Sequence, residues 1–189
     1  GRSESGLIYH HLFEHRRKQE SVSMGLIGTG HFGTAVITQS VDLPYLKVPI
    51  VADRNLDAAR LAYQQAGIPN ELVVVADTRQ GALTAMEKGQ YVIVQDPMLL
   101  MDLPLDVIAE STGIPEAGAL HAFEAIRHGK HVAMINKETD SVVGPILNHM
   151  AHQAGLVYTP VDGDQHGLLM GLVAWARTIG LEVVAAGKA

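Results

Sequence analysis

Met24-Gly25-Leu26-Ile27-Gly28-Thr29-Gly30-His31-Phe32-Gly33 carries an apolar run straight into a G-x-G-x-x-G turn. The run Val22–Ile27 reads as a strand, and the residues from Phe32 to Gln39 read as a helix. In that strand–turn–helix setting each glycine has a physical reason. Gly28 permits the tight turn, the missing side chain of Gly30 lets backbone approach a pyrophosphate, and Gly33 lets helix and strand pack closely. Free N–H groups and the positive end of the helix dipole then face the phosphates. Thr29, His31 and Phe32, the variable members of the turn, are candidate contacts of the same site. His31 could approach the pyrophosphate, although its position tolerates many residue types.

Twenty residues after Gly33, at the end of the next apolar run, stands Asp53. A dinucleotide fold places a carboxylate there for the ribose hydroxyls of the adenosine half. The alternative for Asp53 is a cap for the helix that starts at Leu56. Arg54 follows at once: the acid argues for NAD, while the guanidinium could pair with the extra phosphate of NADP or lie solvated over the adenine face. The expected cofactor is therefore NAD or NADP, with the choice open.

Working outward, apolar runs alternate with helical patterns. The runs are Val22–Ile27, Val48–Ala52, Tyr91–Val94, Val107–Ala109, His131–Ile135, Leu156–Tyr158 and Glu182–Ala186. They are short, rich in Val and Ile and mostly continuous, as expected of strands covered on both faces. The intervening helices are expected over Phe32–Gln39, Leu56–Ala66, Arg79–Lys88, Glu116–His128, Gly144–Gln153 and Gly167–Ile179. Pro115 marks a helix start, and Gly129, Gly155 and Gly180 follow last turns. Leu72–Ala76 reads as an extended connection or a short edge strand. The fold class that results is α/β: a Rossmann-type doubly wound, mainly parallel sheet with helices on both faces, over residues 22–189. A leading helix over Leu7–Gln19, closed by Arg16-Arg17-Lys18, precedes it in residues 1–21.

Composition agrees and narrows the function classes. Of 189 residues 47% are hydrophobic, 18% charged and only 5% aromatic, so the core is aliphatic. Net charge is -6 and the one dense basic cluster is Arg16-Arg17-Lys18, which argues against nucleic acid as a partner. Without cysteine there is no disulfide, thiolate metal site or Cys nucleophile. The longest charge-free stretch, Ser141 to Val161, holds Pro145, Asn148, His149, His152 and Gln153, which a membrane span would not tolerate. With no secretory signal pattern at the start, a cytoplasmic location is expected.

At Asp106-Val107-Ile108-Ala109-Glu110-Ser111-Thr112-Gly113, followed by Gly129-Lys130-His131-Val132 and Asn136-Lys137-Glu138, the chain resembles the NAD(P)-binding domain of homoserine dehydrogenase and its relatives. The stretch Thr112-Gly113-Ile114-Pro115-Glu116-Ala117-Gly118, with Gly163-Asp164 and Ala186-Gly187-Lys188, looks like the branch of these proteins that includes the deoxyxylulose-phosphate reductoisomerase-like enzymes, some of whose members carry a SAF domain. The resemblance runs from Val22 onward and speaks for fold and cofactor class rather than substrate. It implies that Thr112 and Gly113 line the nicotinamide side of the cleft and that Asn136 and Lys137 sit on the neighbouring strand end. The lysine after Asn136 is closer to the homoserine dehydrogenase pattern. In the resembled enzymes a substrate and oligomerisation region follows at about Ala189, so this chain is expected to lack part of the active site and to be homo-oligomeric when complete.

The remaining constellations are weaker. Lys137, Asp162 and Asp164 are the candidate catalytic residues; the two aspartates, with His166 beside them, follow a strand and precede a helix. They could form a general-base or metal pair, and equally a helix cap. His11 with His15 and His149 with His152 have helical spacing but lack the glutamate of a His-Glu-x-x-His site, so no metal site is assigned. The leading expectation is an NAD(P)-dependent oxidoreductase domain that passes hydride between nicotinamide and a small polar metabolite. Two alternatives stand beside it: a dinucleotide-binding or sensing module without turnover, and a metal-dependent sugar-phosphate reductoisomerase-like enzyme.

Overall fold

The computed structural model describes residues 21–160 and 165–187, without the side chains of 165–167. The expected leading helix and the Asp162 and Asp164 positions lie outside the described residues. Seven runs become strands: β1 (Val22–Ile27), β2 (Leu46–Ala52), β3 (Val73–Val75), β4 (Tyr91–Val94), β5 (Val107–Glu110), β6 (His131–Met134) and β7 (Tyr158–Pro160). All their pairings are parallel, in the order β3-β4-β2-β1-β5-β6-β7. Six helices follow in turn: α1 (His31–Ser40), α2 (Leu56–Gln65), α3 (Arg79–Glu87), α4 (Pro115–Arg127), α5 (Lys137–Gln153) and α6 (Gln165–Thr178).

Because side chains alternate across each strand, the sheet has an apolar core on both faces. Ile50, Val92, Val94 and Ile108 face one way, against Ala82 of α3, Ala122 and Ile126 of α4 and Leu147 of α5. Leu26, Val51, Ile93 and Ala109 face the other, against Ile37 of α1 and Ala59, Ala62 and Tyr63 of α2. Alanines on the inner helix faces let helix and sheet approach closely. Pro49 lies inside β2, an interior strand with no place for a residue lacking an N–H. The register between β1 and β2 shifts there, between Ser23 and Gly25, so the proline falls in a bulge.

Of the two readings of Leu72–Ala76 the structure takes the short edge strand: β3 pairs with β4 at the sheet edge. The structure departs from the sequence reading in three places. β7 starts at Tyr158 rather than Leu156. α5 begins at Lys137, seven residues before the expected Gly144. Asn136 caps it by accepting the Thr139 N–H at 3.1 Å, Glu138 and Asp140 suit the positive end of the helix, and the helix carries Pro145 within it. Finally, Glu182–Ala186 forms no strand: residues 181–187 are irregular and Val184 is 90% exposed. An apolar run becomes a strand only where a ladder receives it, and this one pairs with neither sheet edge.

β1 lies between β2 and β5, so the crossovers on its two sides run in opposite directions. That reversal opens a crevice at the carboxyl ends of β1, β2 and β5.

Candidate functional site

The crevice is a cleft of about 280 Å³ whose walls include Gly28, Thr29, Gly30, Asp53, Arg54 and Thr112. Six of the residues singled out from the sequence thus meet in one place. Gly28 adopts φ +92°, a conformation that favours glycine, and a Cβ there would stand 2.9 Å from the Ser111 carbonyl oxygen. Gly33 is buried, and a Cβ on it would run into the Gly28 carbonyl oxygen. Gly30 is different: a Cβ there would meet nothing within 4 Å, because its open side is the cleft. Gly30 is also the cap residue of α1 and brings no side chain to the first-turn N–H groups, whereas Asn55, Thr78 and Asn136 each cap their helices with one. The donors of α1 are therefore left for a ligand.

Asp53, at the end of β2, holds this loop. Its Oδ2 accepts the Thr29 N–H at 2.7 Å and the Thr29 hydroxyl at 2.6 Å, and its Oδ1 accepts the Asn55 N–H at 2.8 Å. The cap of α2 is Asn55, not Asp53: its side chain accepts from Asp57 and Ala58 N–H. Arg54 lines the cleft beside Asp53, and its carbonyl accepts from the Gln95 side chain at 3.2 Å.

The other candidates fall around the rim or behind the wall. His31 and Phe32 are exposed, Phe32 to 51%, and do not line the cleft. Gly113 turns the chain at φ +71° between Thr112 and Ile114, which do line it. Asn136 is 2% exposed and lies behind that wall, donating to Thr112 Oγ1 at 3.3 Å and to the Ile114 carbonyl at 3.1 Å. Lys137 is exposed at the first position of α5, outside the cleft-lining set. Among the described residues no group of three His, Asp or Glu side chains is placed to hold a metal ion, and no helix is long and apolar enough to cross a membrane.

The structure adds a polar cluster that sequence reasoning missed. Glu110, the last residue of β5, is fully buried. Its Oε1 accepts the Thr112 hydroxyl at 2.6 Å and the Thr112 N–H at 3.3 Å, and lies 3.2 Å from His121 Nδ1. His121, on the buried side of α4, lines the cleft and is 7% exposed. Ser111 Oγ donates to the Gly28 carbonyl at 2.9 Å, tying the end of β5 to the glycine turn. The visible sign in the sequence was a single charge closing the apolar run Val107-Ile108-Ala109.

No family model matches the chain. By sequence it is similar to 1-deoxy-D-xylulose 5-phosphate reductoisomerase of Thermosynechococcus vestitus, 28% identical over 158 residues, which cover 77% of this chain and 37% of that protein. The same-named protein of Thermus thermophilus is 29% identical over 150 residues, covering 79% of this chain and 39% of it. The chain thus spans less than two fifths of the length of these relatives. Their name falls within the reductoisomerase-like branch of the resemblance seen in the sequence, and a homoserine dehydrogenase from Thiobacillus denitrificans stands among the structural neighbours, with a TM-score of 0.52 at 22% identity over 75% of this chain and 29% of that one. Among solved structures, the WlbA dehydrogenase from Bordetella pertussis in complex with NADH and UDP-GlcNAcA shares the fold with a TM-score of 0.58 at 15% identity, over 85% of this chain and 43% of that one.

Proposed function

We propose that this chain is the NAD(P)-binding domain of an oxidoreductase, in which hydride passes between nicotinamide C4 and a hydroxyl-bearing or carbonyl carbon of a small polar substrate. One observation carries the reading. Gly30 presents an open face to the cleft at the uncapped start of α1, while Gly28 and Gly33 beside it have no room for a side chain. That is the shape needed to bring backbone against a pyrophosphate, with the Asp53 side of the cleft left for the adenosine half. The names of the similar proteins, reductoisomerases and an NADH-bound dehydrogenase, support the same class.

When bound, the dinucleotide supplies the hydride chemistry. The chain's own residues orient it: Asp53 fixes the loop, Ser111 joins β5 to that loop, and Ile27, Ile114 and Ala117 offer an apolar wall that excludes water from the nicotinamide end. Titration of NAD, NADH, NADP and NADPH by calorimetry tests the reading. Binding of at least one below millimolar concentration is expected, and no binding by any of the four at that level overturns it.

The curated relatives favour a second reading, a metal-dependent reductoisomerase acting on a sugar phosphate. An assay of the longer protein with sugar phosphates, with and without Mg²⁺, separates it from a metal-free dehydrogenase. Binding without turnover in any such assay favours a sensing module.

A further inference from the structure

We infer that His121 recognises the carboxamide of the nicotinamide ring, accepting a hydrogen bond from its amino group at Nε2 while Glu110 fixes the tautomer of the imidazole. The inference rests on the dinucleotide reading above and assigns one polar contact within it.

Position comes first. Asp53 and Arg54 mark the β2 side of the cleft as the adenosine end, so the β5 side, where α4 begins, takes the nicotinamide. There the ring would meet the apolar Ile27, Ile114 and Ala117, and its carboxamide needs a polar partner. The neighbouring hydroxyls are already committed: Ser111 Oγ donates to the Gly28 carbonyl and Thr112 Oγ1 donates to Glu110. His121 uses Nδ1 on Glu110 and lines the cleft, which leaves Nε2 for a ligand.

The tautomer follows from the bonds around Glu110. Thr112 Oγ1 accepts from Asn136 Nδ2 and from the Ile114 N–H, each at 3.3 Å, so its own hydrogen goes to Glu110 Oε1. Oε1 accepts the Thr112 N–H as well, at 3.3 Å, and a hydroxyl oxygen holding two such donors has no good geometry left to donate to Nδ1, so the hydrogen of the contact between Oε1 and the imidazole is placed on Nδ1. In the neutral imidazole a hydrogen on Nδ1 leaves a lone pair at Nε2. Phosphate oxygens, which only accept, do not match it, whereas the amino group of a carboxamide does.

The test compares NAD or NADP, whichever binds, with its 3-acetylpyridine analogue, in which a methyl group replaces the carboxamide amino group. By calorimetry the protein is expected to bind the natural dinucleotide about five- to tenfold more tightly, the ratio one hydrogen bond supports. In His121→Phe that ratio falls to near one through weaker binding of the natural dinucleotide alone. In Glu110→Gln the amide oxygen takes the place of Oε1 and keeps accepting from Thr112 and from Nδ1, so the ratio is expected to stay near that of the wild type. A wild-type ratio near one overturns the inference whether or not His121→Phe folds, and so does a preserved ratio in folded His121→Phe: equal weakening of both ligands would move the contact to a ribose hydroxyl, and unchanged affinities would show no contact. A ratio that falls to near one in folded Glu110→Gln overturns the assigned tautomer. A wild-type protein that binds neither dinucleotide overturns the reading beneath this inference, and the inference with it.

Discussion

Thr29 gives both of its donors to one oxygen: its backbone N–H and its hydroxyl reach Asp53 Oδ2 at 2.7 and 2.6 Å. The acid that ends β2 therefore shapes the turn that follows β1. An ionised carboxylate offers about four acceptor positions. Thr29 takes two and the Asn55 N–H a third, on Oδ1, which leaves one for a ribose hydroxyl.

Asp53→Asn should therefore act on the loop as well as on cofactor choice. Hydrogen bonds to a charged group contribute roughly 1.5–3 kcal/mol, and the amide cannot accept all three of these donors in place. Calorimetry should show every dinucleotide weakened about tenfold or more, and NAD weakened more than NADP, because the charge that repels a 2′-phosphate is gone. An unchanged NAD to NADP ratio would mean that the carboxylate serves the loop alone.

Gly30 and Gly33 separate binding from stability. Gly30→Leu places its side chain in the open cleft, so the thermal midpoint should hardly move while dinucleotide binding is lost. Gly33→Ala forces its methyl group onto the Gly28 carbonyl, an overpacking that costs roughly 1–3 kcal/mol and lowers the thermal midpoint. Equal loss of stability in both variants would contradict the different surroundings of the two glycines.

This contrast also marks what the sequence could say. Gly28, Gly30, Gly33 and Asp53 were legible because their roles depend on local order, strand then turn then helix, with the next strand beside the first. Glu110 and His121 are eleven residues apart and meet only through the rotation of α4 over β5, which spacing alone does not determine. Asn136 was placed near the cleft but not behind its wall, since one asparagine can cap a helix or touch a ligand. The apolar run at 182–186 resembles the true strands, and only the absence of a receiving edge sets it apart.

Alkaline stability should depend on Tyr63, which is fully buried with its hydroxyl 3.3 Å from the Val48 carbonyl and 3.4 Å from that of Val92. Burial first, and Tyr91 second, push its pKa well above the ordinary value of 10.0. The unfolded chain loses this proton near pH 10 while the native state keeps it. The native state then binds more protons, and stability falls with rising pH by up to about 1.4 kcal/mol per pH unit. Burial lowers the pKa of Lys130, which works in the opposite sense: stability rises between its native pKa and its usual one. Urea unfolding from about pH 9 to about pH 11 should show a shallower decline for Tyr63→Phe than for wild type, by roughly one proton. Identical slopes would show that Tyr63 ionises in the folded protein.

Gly118 lets α4 lie against the polar cluster that backs the cleft. A Cβ there would overlap Thr139 Oγ1 and stand 2.7 Å from Asn136 Nδ2 and 2.9 Å from Glu110 Oε2. Thr139 has no exposure, so its hydroxyl, which donates to the Pro115 carbonyl at 3.1 Å, cannot swing into solvent. Gly118→Ala must then push α4 away from α5, stretching the bonds from Asn136 to Thr112 and Ile114 that hold the cleft wall. The expected result is a loss of roughly 1–3 kcal/mol of stability together with weaker dinucleotide binding. Thr139→Ala alone should cost about 1 kcal/mol, the worth of one hydrogen bond. Combined with Gly118→Ala it removes the atom that the new methyl group strikes first, so the double variant should be more stable than the sum of the single effects predicts. Denaturant unfolding of all four proteins measures that coupling. Strict additivity would show that α4 and α5 do not meet through this pair, and that the wall of the cleft is held by Asn136 independently of the helix contact.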